Sequence, residues 1–423
     1  MTMMLEQQPL RKKIKIENYS VDTFTSRYIP DDLLHEILIR LPNLGSAIRC
    51  STVCKRWLSI VSRPDFTATF MDHHRSKVDL TLLFGDYFIF GSPIHISLPQ
   101  RTTTLQSLPV ASLVDTFRSG LDHLLLPDSN LLAMCEDLLL VRISAISDSY
   151  YVCNPLTGQI FMLPDPPEKV HGSSRYLARC GLVSEPKKNN NSNNNNNNNK
   201  PLAGSSTRYR VMLMFYSKYK NTSYRTFFCS ETWQWTQVVE NPGFVSSGNH
   251  DVVASNDGLL YWMHLERKWL IALDPFKAID DVTAWNFFKL PDVNGQLRLG
   301  LFEGRPRLSQ LFRDQVDTQH LCLKVWDLKD GSNDDIGHAT ASFPLVYQVK
   351  IVAEDLNSTF ASVLALHPSH NNQIFMLCNR NLYQYDMETK KQVKVAEIRS
   401  DKFGKMTDLR IFPFVHPAWP KLI

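Results

Sequence analysis

The side chains that could perform chemistry in this sequence occur as isolated pairs. His367 and His370 stand three positions apart, and Cys50 and Cys54 stand one helical turn apart, spacings at which two side chains can share a metal ion. No second pair of ligands follows either pair at a useful distance. We therefore expect no metal site, and we interpret the histidines as turn or surface residues and the cysteines as free thiols.

Motifs that indicate an enzyme are missing from the sequence. It has no Gly-x-Ser-x-Gly nucleophile turn, no His-Glu-x-x-His zinc motif and no phosphate-binding P-loop. Asp280 and Asp281 are adjacent carboxylates, but such a pair more often initiates a turn than shares a proton. The sequence thus predicts a non-catalytic protein with no catalytic residue and no cofactor.

Composition indicates an intracellular globular protein. The 423 residues favour two or three domains, and the net charge of +4 is too small to indicate direct nucleic-acid or membrane binding. Eight scattered cysteines without a Cys-x-x-Cys motif fit a reducing compartment. The N-terminal residues lack the apolar core of a signal peptide, and no segment is apolar enough to span a bilayer. We expect the nucleus, the cytoplasm or both.

A basic cluster lies in residues 1–26, which we expect to form a flexible N-terminal segment. Arg11, Lys12, Lys13 and Lys15 have the form of a weak nuclear import signal. The alternative is a solvated charge run in a flexible terminus.

The elements that organise the chain begin with a short helical unit. Apolar residues recur at helical spacing from Leu33 to Leu41, Pro42 ends the run, and a second helical stretch follows from Ile48 to Val61. A segment of roughly 40 residues cannot bury so many apolar side chains in its own core. The surplus must therefore pack on the rest of this chain or on another protein.

The order of residues in this helical unit matches a known sequence motif. IPDDLLHEILIRLP followed by VCKRWLSIV resembles the F-box, and we place this domain at residues 27–68. The resemblance implies docking on a Skp-type adaptor and, through it, on cullin and RING subunits. The adaptor-binding positions that it implies are Ile29, Pro30, Leu33, Leu34, Ile37, Leu38, Leu41, Pro42, Leu44, Ile48, Val53, Cys54, Trp57 and Leu58. The intervening loop departs from many relatives, which carry a lysine near Gly45 and a larger apolar residue near Ala47.

Residues 69–423 have the sequence pattern of a repeated β structure. Short apolar, β-prone runs alternate with turns, and several share an acidic or Asn anchor before an aromatic or apolar strand. The anchors are Asn154, Glu231, Asp274, Asp327 and Asp386. Their separations are 77, 43, 53 and 59 residues, a period near that of a four-stranded propeller blade. The pattern predicts an all-β propeller of six blades, with seven as the alternative, in which aromatic pairs such as Trp233 with Trp235 and Tyr261 with Trp262 fill the blade cores.

Three segments of this region, YYVCNPLTGQIFMLPDPP, DGLLYWMHLERKWLIALDPF and LALHPSHNNQIFMLCNRNLYQYDMETKK, resemble the F-box-associated, kelch-like propeller of plant F-box proteins. The sequence departs from true kelch repeats because it has no Gly-Gly doublet. Residues 184–207 are rich in Asn and carry few apolar side chains, and we expect them to form a disordered loop on the propeller.

The two resemblances together imply a substrate-recognition subunit of a Skp–cullin–F-box ubiquitin ligase. The F-box would dock on the adaptor, and one face of the propeller would bind a protein substrate whose identity the sequence does not encode. The alternative is a non-degradative scaffold or regulator that binds the adaptor without recruiting the cullin.

Overall fold

The helices and strands fall into a helical unit and a ring of sheets. The computed structural model describes residues 29–41, 44–63, 65–66, 69–70, 73, 80–86, 95–98, 129–143, 149–155, 159–167, 175–185, 207–217, 222–240, 251–277, 281–292, 297–313, 320–329, 342–352, 361–378, 381–397 and 409–415.

Three short helices form the helical unit. They are α1 (Asp31–Ile39), α2 (Leu44–Ser51) and α3 (Lys55–Val61). Pro30 stands immediately before α1, and its carbonyl accepts the first helical hydrogen bond from the N–H of Leu34 at 2.9 Å. Asp31 and Asp32 occupy the first turn of α1, where carboxylates complement the positive end of the helix dipole.

The helical unit has its own small core. Its fully buried members are Leu34, Leu38, Ile39, Ala47, Ile60, Val61, Phe66 and Phe70. Leu41, Cys50 and Trp57 pack against this cluster while remaining partly exposed. Ala47, a small residue where many F-box sequences carry a larger apolar one, lies in α2 and is 0% exposed.

Five antiparallel sheets of four strands follow within the described residues, and we number them blades 1 to 5. Each blade takes four consecutive strands in sequence order. Blade 1 contains β3 (Ser129–Cys135), β4 (Leu138–Ile143), β5 (Ser149–Asn154) and β6 (Gln159–Met162). Blade 2 contains β7 (Arg175–Ser184), β8 (Tyr209–Ser217), β9 (Thr222–Cys229) and β10 (Gln234–Glu240). Blade 3 contains β11 (Val252–Ala254), β12 (Leu260–His264), β13 (Trp269–Leu273) and β14 (Trp285–Lys289). Blade 4 contains β15 (Leu297–Phe302), β16 (Arg305–Arg313), β17 (His320–Asp327) and β18 (Leu345–Val352). Blade 5 contains β19 (Ala361–Leu366), β20 (Gln373–Cys378), β21 (Asn381–Asp386) and β22 (Gln392–Glu397).

A sheet made from both ends of the propeller region closes the ring. This closing sheet contains β1 (Leu80–Asp86), β2 (His95–Leu98) and β23 (Leu409–Val415), in the order β2-β1-β23. Leu82 and Ile411 pack against blade 5, whereas Leu83 and Phe414 pack against blade 1. The first strands of successive blades also contact one another, and β23 contacts both β19 and β3. These six strands therefore surround a common axis as the inner strands of a β-propeller.

The propeller fold is confirmed, but the number of four-stranded blades differs from the sequence expectation. Five such blades occur among the described residues, whereas the period of the anchors predicts six or seven. The difference concerns the closing sheet, which has three strands rather than four among the described residues and carries none of the five anchors. It combines strands more than 300 residues apart in the chain, with Leu80 opposite Val415, and a local repeat pattern cannot register such a pairing.

The repeat anchors mark equivalent positions in the five blades. Asn154, Asp327 and Asp386 are the last residues of the third strands β5, β17 and β21, and Asp274 directly follows β13. Glu231 follows β9 by two residues. Two anchors bind their own turns: Asp386 Oδ1 accepts hydrogen bonds from the N–H groups of Glu388 and Thr389, and Asp274 Oδ1 accepts one from the N–H of Phe276. Asn154 instead donates to Asp137, and Asp327 accepts from Arg307.

The aromatic pairs behave differently from one another. Tyr261 and Trp262 are buried in blade 3, as predicted, whereas Trp233 is 43% exposed beside the partly buried Trp235.

Residues 186–206, most of the Asn-rich insert, lie outside the described residues. Ser184, the first residue of the predicted insert, is the last residue of β7 and pairs with Tyr209 of β8.

Candidate functional site

Helix α1 carries two apolar stripes that meet different surroundings. Leu34 and Leu38 are each 1% exposed and belong to the core of the helical unit. Leu33 and Ile37 lie one position earlier, about 100° around the helix axis, and are 57% and 50% exposed. Four residues separate the members of each stripe, so each stripe forms one continuous line along the helix. The exposed stripe is the surplus apolar surface that the sequence predicts.

The predicted adaptor-binding residues therefore divide into two groups. Leu34 and Leu38 belong to the core of the unit and are each 1% exposed, and their contact with the adaptor stays a prediction. Leu41, Cys54 and Trp57 are partly buried. For Ile29, Pro30, Leu33, Ile37, Val53 and Leu58 the side chains are exposed. Pro42 lies outside the described residues, as do the side chains of Leu44 and Ile48.

We call the exposed apolar residues of the unit the docking face: Ile29, Leu33, Ile37, Val53 and Leu58. Ile29 precedes α1, Val53 lies in the turn between α2 and α3, and Leu58 lies on α3. Val53 is 61% exposed and Leu58 is 49% exposed. Chemically, such a face can bind an apolar groove on another protein, because its side chains lose water contact only when a partner covers them.

An ion pair holds two parts of the docking face together. Arg56 of α3 donates from Nε to Asp31 Oδ1 of α1 at 2.7 Å and from Nη2 to the Ile29 carbonyl at 2.6 Å. Arg63 Nη2 lies 3.9 Å from the other carboxylate oxygen of Asp31. The Arg56–Asp31 clamp thus fixes the chain before α1 against α3, which carries Leu58. Sequence reasoning missed Arg56, because a pairing between charges 25 residues apart leaves no periodic signal.

The side chains with potential chemistry act structurally in the turns where they lie. His367 Nδ1 accepts hydrogen bonds from the N–H groups of Ser369 and His370 at 3.1 and 3.0 Å. Burial, together with the neighbouring His370, lowers the pKa of His367 to about 4. Asp281 accepts a hydrogen bond from the N–H of Thr283 and begins a short 3-10 turn, as predicted. Asp280 lies outside the described residues.

All eight cysteines are free thiols, and five of them are buried. Burial raises the pKa of Cys153 to about 12. At Cys229 burial also acts to raise the pKa, but hydrogen bonds from Thr232 and the backbone, together with the positive charge of Arg210, leave it lowered. The thiol of Cys229 should therefore react much faster than the thiol of Cys153.

Comparison with known proteins identifies the helical unit. Residues 28–69 match the model of the F-box domain. An F-box protein of Arabidopsis thaliana is 32% identical over 161 residues, which cover 36% of this chain and 36% of the relative. An F-box/kelch-repeat protein of the same plant is 29% identical over 257 residues, 59% of this chain and 53% of the relative. Another relative whose name includes F-box/kelch-repeat is 23% identical over 366 residues, 82% of this chain and 78% of its own length.

The domain match and the ring of blades define the class: an F-box domain followed by a β-propeller. The chain is an F-box protein with a kelch-like propeller domain, and the relatives reported above come from a plant. The chain spans about a third of the length of the first curated relatives that it matches.

Two further sequence predictions concern the setting of the protein. No helix in the described part of the chain has the length and apolarity that are needed to span a membrane. The basic cluster of Arg11, Lys12, Lys13 and Lys15 lies outside the described residues, so nuclear import stays a prediction.

Proposed function

We propose that this protein is a non-catalytic substrate-recognition subunit of a Skp–cullin–F-box ubiquitin ligase. The observation that carries the proposal is the exposed stripe of Leu33 and Ile37 beside the buried stripe of Leu34 and Leu38, inside a segment that matches the F-box. The buried stripe packs in the core that joins the three helices. The exposed stripe then serves a partner, and the partner that F-box domains imply is a Skp-type adaptor.

Covering the docking face would supply part of the free energy of adaptor binding. Complete burial of a Leu, Ile or Val side chain stabilises by roughly 1.5–3 kcal/mol. The five residues of the docking face are between 36% and 61% exposed, so covering them contributes on the order of 5 kcal/mol. The Arg56–Asp31 clamp reduces the ordering cost, because it holds part of the face in place before the adaptor binds.

The propeller takes the role of the substrate receptor in this proposal. A rigid ring presents the loops at one end of its blades to a protein substrate, and the adaptor and cullin bring the ubiquitin-loaded enzyme close to lysines of that substrate. The gain is proximity, since a bimolecular transfer becomes nearly intramolecular. The bond-forming chemistry belongs to other subunits, in keeping with the sequence prediction of a non-catalytic protein.

The proposal includes the organisation of the chain. We place the F-box at residues 27–68 and the propeller at residues 69–423. They follow a basic segment at residues 1–26 that carries the weak import signal, and we expect the protein in the nucleus, the cytoplasm or both. We also infer that the closing sheet acts as the sixth blade. Its packing against both blade 5 and blade 1 supports this inference.

The test is affinity purification of the wild-type protein beside a Leu33→Asp, Ile37→Asp double variant, with mass spectrometry of the retained proteins. We expect adaptor and cullin with the wild type and neither with the variant, because two carboxylates on the docking face cannot enter an apolar groove without a large desolvation cost. Adaptor without cullin would favour the non-degradative scaffold instead. Absence of the adaptor from the wild-type sample would refute both functions.

A further inference from the structure

A cavity lies on the axis of the propeller between the inner strands. Its volume is about 120 Å³, and its described lining residues belong to or flank β3, β11, β15, β19 and β23. An apolar cavity of about 150 Å³ in another protein holds one benzene molecule. The cavity therefore suits a ligand, or the end of a ligand, of roughly six to eight non-hydrogen atoms.

Charged side chains gather at one end of this cavity. Asp251 directly precedes β11, and Arg298 and Arg410 are the second residues of β15 and β23. The inner strands are related by rotation about the axis, so the residues at their beginnings lie at the same end of the ring. Arg298 Nη1 lies 3.6 Å from Asp251 Oδ2, and these two side chains are 18% and 15% exposed.

The remainder of the wall is mostly apolar. The apolar side chains that line it include Val252, Leu299, Leu301, Leu364, Leu366 and Ile411. Gly300 contributes backbone to the wall, where an added Cβ would lie 3.0 Å from Leu366 Cδ1. Such walls exclude water and strengthen the electrostatic attraction between the charged end and a ligand.

We propose that this cavity binds a small carboxylate carrying a short apolar chain. The carboxylate binds the guanidinium groups of Arg298 and Arg410, and the chain packs against the leucines. Each guanidinium offers five N–H donors in a planar fork that matches carboxylate geometry, so one that already pairs with a protein oxygen retains donors for a ligand. The described lining carries two cationic side chains and one anionic side chain, which favours an anion over a cation.

Two kinds of molecule carry a carboxylate beside a short apolar chain. The carboxylate belongs either to a free small acid or to the C-terminal residue of a bound protein with an apolar side chain. The inference goes beyond adaptor docking, since the cavity lies in the propeller and the docking face lies in the helical unit.

The first test compares 4-methylpentanoate with its neutral isostere 4-methylpentanamide, each titrated into the full-length wild-type protein by isothermal calorimetry. We expect the acid to bind and the amide to bind about tenfold more weakly, because the amide loses the charge-assisted hydrogen bonds. Equal binding of both compounds, or binding of neither compound together with no binding of the peptide below, would overturn the proposal. This comparison needs no variant and so does not depend on how substitutions affect folding.

The second test uses an Arg298→Gln variant with Arg305→Gln as its matched control, since Arg305 is an exposed arginine outside the cavity. We expect Arg298→Gln to weaken acid binding about tenfold and Arg305→Gln to leave it unchanged, with both variants melting like the wild type. Should Arg298→Gln melt earlier, Arg298→Lys keeps the charge and must bind better than the Gln variant. Equal affinity of all variants would show that the acid binds elsewhere.

A third titration distinguishes the two sources. An acetylated six-residue peptide that ends in a free-carboxylate leucine is compared with 4-methylpentanoate and with the same peptide amidated at its C-terminus. Tighter binding of the free-carboxylate peptide assigns the site to a protein C-terminus. Tighter binding of the small acid assigns it to a free metabolite. If the amidated peptide binds as well as the free-carboxylate peptide, the carboxylate is not what the cavity recognises.

Discussion

The division of α1 into a buried and an exposed stripe leads to a quantitative prediction about adaptor binding. Replacing Leu33 and Ile37 together by alanine removes most of the exposed stripe while leaving the core of the helical unit intact. The side chains are 57% and 50% exposed, so about half of each remains for a partner to cover. At roughly 1.5–3 kcal/mol for complete burial of one such side chain, the pair contributes about 1.5–3 kcal/mol to binding.

The assay is calorimetric titration of full-length protein with a purified Skp-type adaptor. We expect the dissociation constant of the Leu33→Ala, Ile37→Ala variant to rise about 10- to 100-fold. The melting temperature should hardly change, because substitutions of exposed residues usually alter the free energy of unfolding by less than about 0.5 kcal/mol.

The matched control is Leu34→Ala, one position away in the sequence and 1% exposed. Removing a buried leucine side chain costs about 2–5 kcal/mol of folding stability, so this variant should lose binding only together with the fold of the helical unit. The reasoning would be refuted by a double variant that binds with wild-type affinity, or by one that melts as early as Leu34→Ala.

Three other predictions follow from the described contacts. Arg56→Ala should weaken adaptor binding about fivefold, because it releases the Arg56–Asp31 clamp. Arg40→Ala removes only the exposed pair with Glu36 and should have no effect on binding. Equal dissociation constants for the two variants in adaptor titrations would contradict this prediction. The lowered pKa of His367, about 4, means that the unfolded state binds more protons below pH 6.5. Stability should therefore fall by up to about 3 kcal/mol between pH 6.5 and pH 4 in urea titrations, and a His367→Gln variant should lose part of that dependence. Iodoacetamide at pH 8 should modify Cys229 before Cys153, as peptide mass spectrometry would report, because only the former has a lowered pKa.

The sequence reveals the repeated parts of this fold because each repeat carries its own local signal. Asn154, Asp327 and Asp386 mark the ends of third strands in three different blades, and Asp386 begins its turn by accepting hydrogen bonds from the N–H groups of Glu388 and Thr389. The closing sheet lacks such a signal: Leu80 and Val415 pair across almost the whole propeller region. The pairing follows from ring geometry, which no window of neighbouring residues contains.

The candidate site shows the same limit at the scale of single residues. Leu33 and Leu34 are identical in type and adjacent in sequence, and both match the F-box pattern. Helical spacing predicts two stripes but cannot say which stripe faces Ile60 and Phe66 in the core. Only the packing of α1 on the rest of the unit makes Leu34 structural and Leu33 available to a partner.

The chain length between the two domains limits where a substrate can be modified. Phe70 is the last described core residue of the helical unit and Leu80 is the first residue of β1. Ten residues span at most about 35 Å when fully extended, so the linker keeps Phe70 within that distance of the start of the closing sheet. That sheet is also the point where β23 fixes the end of the ring to its beginning. A truncation that removes β23 would therefore loosen the part of the propeller from which the F-box extends, and would impair substrate positioning before it affected adaptor binding.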